Sequence, residues 1–126
     1  MTQSLVTNVD CVFLPVNDLD RSIDWYESAL GLTLHWKDSE HKAAGVGIGG
    51  VGICLVQVRN HRPIIFPDND FAVDIGFNYR TADIDALHTS LTERGIDVDP
   101  IEGSFDGTFR CFGFADPDGN RISIVM

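Results

Sequence analysis

The residues able to do chemistry in this chain are few. Three cysteines and four histidines accompany 19 acidic side chains and nine Lys or Arg. Cys11, Cys54 and Cys111 are far apart, odd in number and form no CxxC pair, so no disulfide framework is expected. Each reads either as a small apolar filler or as a soft ligand. His35 and Trp36 fall in one strand candidate, where alternation sends them to opposite faces and lets only one line a pocket. A Trp there offers a flat stacking surface. His41 and His61 fall in or near loops, and His88 sits beside the apolar stripe of a helix, all with a surface reading. No nucleophile elbow, Ser-His-Asp spacing or GxxxxGK[ST] phosphate loop is present, and Ser123 has no His partner in the sequence. The densest candidate lies at the C-terminus. Phe112 and Phe114 alternate before Asp116-Pro117-Asp118-Gly119-Asn120, and Ile122 and Ile124 alternate after it, which reads as a hairpin around a turn. If the phenylalanines face a core, Cys111 and Gly113 share the opposite face with Arg121, Ser123 and Val125, free to line a pocket.

The positioning elements follow in order. Residues 9–16 read as a strand. Asn17-Asp18-Leu19-Asp20 carries N-cap candidates, and Leu19, Ile23, Tyr26 and Leu30 recur at helical spacing up to Gly31. Strands are expected at 33–38, 43–48 and 51–58, with a turn near Gly49-Gly50. Residues 59–70 read as a connector, with two prolines and the apolar Ile64-Ile65-Phe66. The pattern then restarts: a strand at 71–79, a helix from Asp83 with Ile84, Leu87 and Leu91 inward and Gly95 as its stop, a short strand at 96–98, and strands at 108–115 and 121–125. Asp18-Leu19-Asp20 and Asp83-Ile84-Asp85 head equivalent helices. The chain thus reads as one supersecondary unit used twice. The expected organisation is a single domain over 1–126, with module one about 5–58, the connector about 59–70 and module two about 71–126.

Composition narrows the function. A net charge of −10 with nine scattered Lys and Arg argues against nucleic acid, and no apolar run is long enough for a membrane span. A pI near 4.5 and a mean hydropathy of +0.02 fit a globular protein with an acidic surface compatible with a cationic ligand. The N-terminal residues lack a signal-peptide pattern, and a cytoplasmic setting with reduced thiols is expected.

Val16-Asn17-Asp18-Leu19-Asp20-Arg21-Ser22-Ile23-Asp24-Trp25-Tyr26, Ala29-Leu30-Gly31-Leu32 and Phe114-Ala115-Asp116-Pro117-Asp118-Gly119-Asn120 together resemble the vicinal oxygen chelate superfamily. That superfamily includes glyoxalase I, extradiol dioxygenases and the fosfomycin- and bleomycin-resistance proteins. The resemblance implies an α+β fold in which two βαβββ modules form a curved-sheet cleft with helices outside, and a homodimer. Its metal enzymes take four ligands, usually His and Glu. Carried over, these positions hold Cys11, Cys54, Asp74 and Ser123, so the usual ligands are replaced.

The first function that follows is small-molecule binding of the bleomycin-resistance type, with drug sequestration and no cofactor expected. Cys11, Phe13, Cys54, Asp74, Asn78, Cys111, Arg121 and Ser123 would line the cleft for a cationic or aromatic ligand. The alternative is a glyoxalase-type lyase, isomerase or dioxygenase with an atypical divalent-metal site from Cys11, Cys54 and Asp74. A Cys11–Cys54 disulfide requires their strands to be neighbours. Asp74 itself reads as a buried general base or as a partner of Arg110, Arg121 or a ligand cation. A third alternative is a protein-interaction module with no small ligand.

Overall fold

The structure, a computed structural model, describes residues 4–74, 76–103 and 108–126. It divides into two units, residues 1–61 and 62–126. Unit one runs β1 (Cys11–Val16), α1 (Leu19–Leu30), β2 (Thr33–Asp38), β3 (Ala43–Gly47) and β4 (Gly52–Gln57). Unit two runs β5 (Tyr79–Arg80), α2 (Ile84–Glu93), β6 (Glu102–Gly103), β7 (Arg110–Ala115) and β8 (Arg121–Val125). Each is a βαβββ module with a four-stranded sheet, in the orders β1-β4-β3-β2 and β5-β8-β7-β6. The expected α+β class and the repeated module are therefore present.

Each helix starts and stops for local reasons. Asp18 caps α1 by accepting from Arg21 N, and Asp83 caps α2 by accepting from Ala86 N. Both side chains satisfy an amide that has no partner inside the helix. Gly31 ends α1 at φ 69°, the left-handed conformation that frees its N–H to bond back to the last turn. Leu19, Ile23, Tyr26 and Ala29 bury one stripe of α1 together with Leu14, Val16, Val46, Ile53 and Leu55 of its unit. In unit two, Ile84, Leu91, Phe112, Phe114, Ile122 and Ile124 are the corresponding buried set. In both modules the outer strand pairs in parallel with the last one, Cys11 opposite Gly52 and Tyr79 opposite Ile124.

The C-terminal hairpin is as expected. Phe112 and Phe114 are buried with Ile122 and Ile124, while Cys111, Gly113, Arg121, Ser123 and Val125 are half-buried on the other face. Its turn is tied by Asp116, whose Oδ1 accepts from the amides of Asp118 and Asn120 and whose Oδ2 accepts from Asn120 Nδ2. Gly119 supplies φ 83°.

Two strands depart from expectation. Among the described residues of 71–79, only Tyr79 enters a strand. Asn69 explains this, because its side chain bonds both the carbonyl and the amide of Val73, and Ala72 sits at φ 61°. These local bonds hold the segment in a turn and compete with any ladder. The strand expected at 96–98 reduces to a single bridge between Val98 and Phe114, and β6 forms later, at Glu102–Gly103.

Candidate functional site

The eight residues singled out as pocket-lining divide between the units. Cys11, Phe13 and Cys54 belong to unit one, and Asp74, Asn78, Cys111, Arg121 and Ser123 to unit two.

In unit one, a pocket of about 260 Å³ opens on the sheet face away from α1's stripe, lined by Cys11, His35, Trp36, Gly45, Gly52 and Cys54 among others. Trp36 packs against β3 at Gly45. A Cβ added at Gly45 would sit 2.1 Å from its indole Nε1, so the glycine is what lets the ring rest there. The indole stays 48 % exposed, which leaves a stacking surface open. His35 lines the same pocket, contrary to the expectation that only one of the pair would. The cause is a register shift between Leu34 and Trp36, where Leu34 pairs with Val46 and Trp36 with Gly45. His35 is the extra residue of this bulge, and alternation fails across it. Phe13 emerges from the same face as Cys11 but is 67 % exposed on the edge strand, outside the wall of this pocket.

Cys11 and Cys54 stand on neighbouring strands, yet all three cysteines are free. The register explains it: Cys54 pairs with Phe13, and Cys11 with Gly52, two residues away. Burial pushes the Cys54 thiol pKa up, and the neighbouring Cys11 adds to the rise.

In unit two, the open face of the hairpin floors a pocket of about 790 Å³. Phe71, Phe77 and Phe109 wall it, with Asp74, Asn78, Arg80, Cys111 and Ser123 as its polar or polarisable groups. A second pocket of about 270 Å³ shares Asp74, Cys111 and Ser123 and adds Asp99, Glu102 and Arg121. Arg121 is held between two acids, with its Nη2 2.6 Å from Asp99 and its Nε 3.3 Å from Asp74. Burial lowers the Arg121 pKa, but Asp99 and Asp74 more than offset it and the net shift is upward. The Asp74 side chain is 63 % exposed, so it is not the buried carboxylate that a general base would need. Of its expected partners it takes Arg121. Arg110 instead makes a two-pronged pair with Asp85, at 2.9 and 2.8 Å.

Two positioning residues have no signal in the motif spacing. Asp99 anchors Arg121 and donates its amide to Gly113 O at 2.9 Å. His88 bonds the Asp99 carbonyl through Nε2 at 2.9 Å and turns its ring edge-on to Phe112, with centroids 4.9 Å apart. His88 is thus packed rather than idle on the surface. A hint of Asp99 lies in the alternation Asp97-Val98-Asp99, but nothing in sequence links it to Arg121. Phe71 and Phe109 are also missed, since single aromatics in irregular segments have no periodicity to mark them.

A family model described as the Glyoxalase/Bleomycin resistance protein/Dioxygenase superfamily matches residues 8–124. The chain belongs to this superfamily. It is similar to the glutathione transferase FosA of Serratia marcescens, 25 % identical over 122 residues, spanning 95 % of this chain and 81 % of FosA. Among solved structures it is similar to TnmS3, an antibiotic binding protein from Streptomyces sp. CB03234, with 27 % identity, a TM-score of 0.73 and 97 % of each chain covered. It is also similar to a superfamily member from Sphaerobacter thermophilus DSM 20745, with 25 % identity and a TM-score of 0.75 over 97 % of this chain and 98 % of that one.

Superfamily enzymes that use a metal need imidazole and carboxylate donors around open positions. Among the described residues no group of three or more His, Cys, Asp or Glu side chains is arranged to hold a metal ion. The donor set does not fit that kind of centre. Among the described residues, no helix is long and apolar enough to cross a membrane.

Proposed function

We propose that this protein binds a flat aromatic small molecule, neutral or cationic, and sequesters it without chemistry. The observation that carries the reading is the unit-two pocket. Its volume of about 790 Å³ falls in the range of roughly 300–1,000 Å³ usual for ligand sites, with aromatic walls and a few polar groups. Phe71, Phe77 and Phe109 supply stacking and edge contacts, Asn78 and Ser123 supply hydrogen bonds, and Asp74 supplies a charge for a cation. The net charge of −10 favours the approach of cations. The printed description of TnmS3 as an antibiotic binding protein agrees with this reading. An enzymatic reading after FosA has less support, because the positions that carry His and Glu ligands in the superfamily's metal enzymes hold Cys11, Cys54, Asp74 and Ser123 here. The expected setting is the cytoplasm, where the three free thiols stay reduced. The expected assembly is a homodimer, for which sedimentation is the check.

The test is a thermal-shift and equilibrium-dialysis panel of planar aromatic cations, planar neutral aromatics and aliphatic cations. Aromatic members should raise the melting temperature, by about 2.7 kcal/mol of stabilisation at a hundredfold excess over Kd. Asp74→Asn should weaken the cations and spare the neutral aromatics. Phe109→Ala should weaken both. Ser123→Leu, which fills the pocket floor, should abolish binding while the far-UV spectrum is unchanged. A panel without aromatic preference, or a Ser123→Leu variant that binds as well as the parent, would sink the reading.

A further inference from the structure

The larger pocket of unit two carries a charge arrangement that its volume and aromatic walls do not explain. Among the described residues, the charged side chains that line it are Asp74 and Arg80. The Arg80 side chain makes no ion pair or hydrogen bond among those residues. Asp74 also pairs with Arg121. If Arg121 neutralised Asp74 fully, Arg80 would be the uncompensated charge of the pocket, and a ligand cation would be repelled. How much of Arg121 reaches Asp74 therefore decides whether the pocket takes cations. The full form of such a pair stands elsewhere in the chain, where Arg110 grips both oxygens of Asp85 at 2.9 and 2.8 Å. Two parallel bonds of that kind are the strongest hold a guanidinium has on a carboxylate. Asp74 receives a single bond, from Arg121 Nε at 3.3 Å. That is longer than the roughly 2.7–2.9 Å of a charge-assisted bond. Its other oxygen accepts nothing among the described residues, and the side chain is 63 % exposed.

Asp99 takes the rest of Arg121. Arg121 Nη2 donates to Asp99 Oδ2 at 2.6 Å. Asp99 is fixed through its backbone, since its amide donates to Gly113 O at 2.9 Å and His88 Nε2 bonds its carbonyl at 2.9 Å. Gly113 is the seat of the pair. A Cβ there would lie 2.6 Å from Arg121 Nη2 and 3.1 Å from Asp99 Oδ2, so the missing side chain is what lets the two groups meet over the strand. Asp74, by contrast, follows a turn held by the Asn69 side chain. The acid on fixed backbone thus holds Arg121, and the acid at the pocket keeps spare charge. We infer that Asp99, seated at Gly113, determines the charge specificity of this pocket. It draws the Arg121 guanidinium off Asp74 and leaves that carboxylate for a cationic group on the ligand. Asp99 acts through Arg121 and is a positioning residue. The assignment rests on the aromatic-ligand reading of the same pocket and adds to it the residue that selects charge.

The experiment is fluorescence titration of the full chain with two planar dyes of one shape under mildly alkaline conditions. One is 9-aminoacridine, a cation there, and the other is acridine, which is neutral. The readout is the ratio of their Kd values. Asp99→Asn keeps both backbone bonds of that residue. It should weaken 9-aminoacridine by about three- to fivefold, the scale of an exposed charge pair, and leave acridine unchanged. In an Asp74→Asn background the same substitution should cost the cation nothing further, because both act on one charge. Glu102→Gln removes a charge from the adjoining smaller pocket, which Asp99 also lines, and should leave the ratio where it is. Gly113→Ala, which crowds the seat, should reproduce the Asp99→Asn loss, and it decides if Asp99→Asn fails to fold by circular dichroism. An unchanged ratio in Asp99→Asn, an equal fall in Glu102→Gln, or a further fall on the Asp74→Asn background would each overturn the assignment. Two dyes that bind with one fixed ratio across all variants would overturn it while the aromatic-ligand reading stands. A parent protein that binds neither dye would sink both.

Discussion

Single charges in this protein act through fixed partners. The Arg110 guanidinium, hydrogen-bonded to Asp85, holds the Asp85 carboxyl below its ordinary value of 3.8, and the Asp85 charge raises Arg110 in turn. A depressed carboxylate contributes stability that is present above the unfolded-state pKa and is lost as pH falls through the folded one. Asp85→Asn should therefore melt below the parent at neutral pH. The gap should narrow as pH drops under 3.8 and close in stronger acid. A gap that stays constant with pH would show that packing, not charge, is what the substitution removes. Both groups are well exposed, so the neutral-pH difference should be small. The individual residues were unevenly legible from sequence. The half-buried face of Cys111, Arg121 and Ser123 followed from alternation alone. The partner of Arg121 did not, because Asp99 reaches it through tertiary folding and is itself held by a histidine on a helix. Asp74 was singled out by resemblance, and its exposure could be seen only once Asn69 was known to hold the preceding segment in a turn.

Elements were the most legible part, and their failures have identifiable causes. Both helices, their caps and the terminal hairpin follow from periodicity and turn chemistry. The β2 bulge does not, since no residue type announces it, and it is what brings His35 and Trp36 to one pocket. Both modules use the same device: a glycine in the strand next to the last one lets a long side chain lie across the sheet. At Gly45 the side chain is the Trp36 indole, and at Gly113 it is the Arg121 guanidinium, 2.6 Å from where a Cβ would sit. The two differ in how they can yield. A rigid ring seated on backbone must swing out as a whole, while the end of an Arg chain can shift. Gly45→Ala should thus cost about 1–3 kcal/mol, and most of that should disappear in a Trp36→Ala background. Gly113→Ala should cost much less. Chemical denaturation of the four variants in a double-mutant cycle checks the coupling. A cost at Gly45 that survives Trp36→Ala would mean that the strand itself, not the indole, demands the glycine.

Over the chain as a whole, 19 acids against nine Lys and Arg make self-repulsion a general term in stability. Salt screens it over a Debye length of about 10 Å at 0.1 M. The melting temperature should rise as sodium chloride goes from about 10 to 150 mM, before any specific ion effect. A flat or falling profile would mean that local pairs such as Lys37–Asp20, at 2.6 Å, and Arg110–Asp85 outweigh the net charge. The closing of each sheet by its first and last strands also gives the molecule a timetable. β1 leaves the ribosome ahead of β4, its one sheet neighbour among the described residues. Cys11 must wait until Gly52 has been made, which at about 5–20 residues per second is roughly 2–8 s. Throughout that interval β1 is an unpaired edge bearing Val12, Phe13 and Leu14. Tyr79 repeats the wait for Ile124. A message cut short before β4, or before β8, therefore yields a ribbon with an open edge rather than a smaller working domain. Slow codons just upstream of Gly52 would lengthen the time in which that edge is free to pair with another chain.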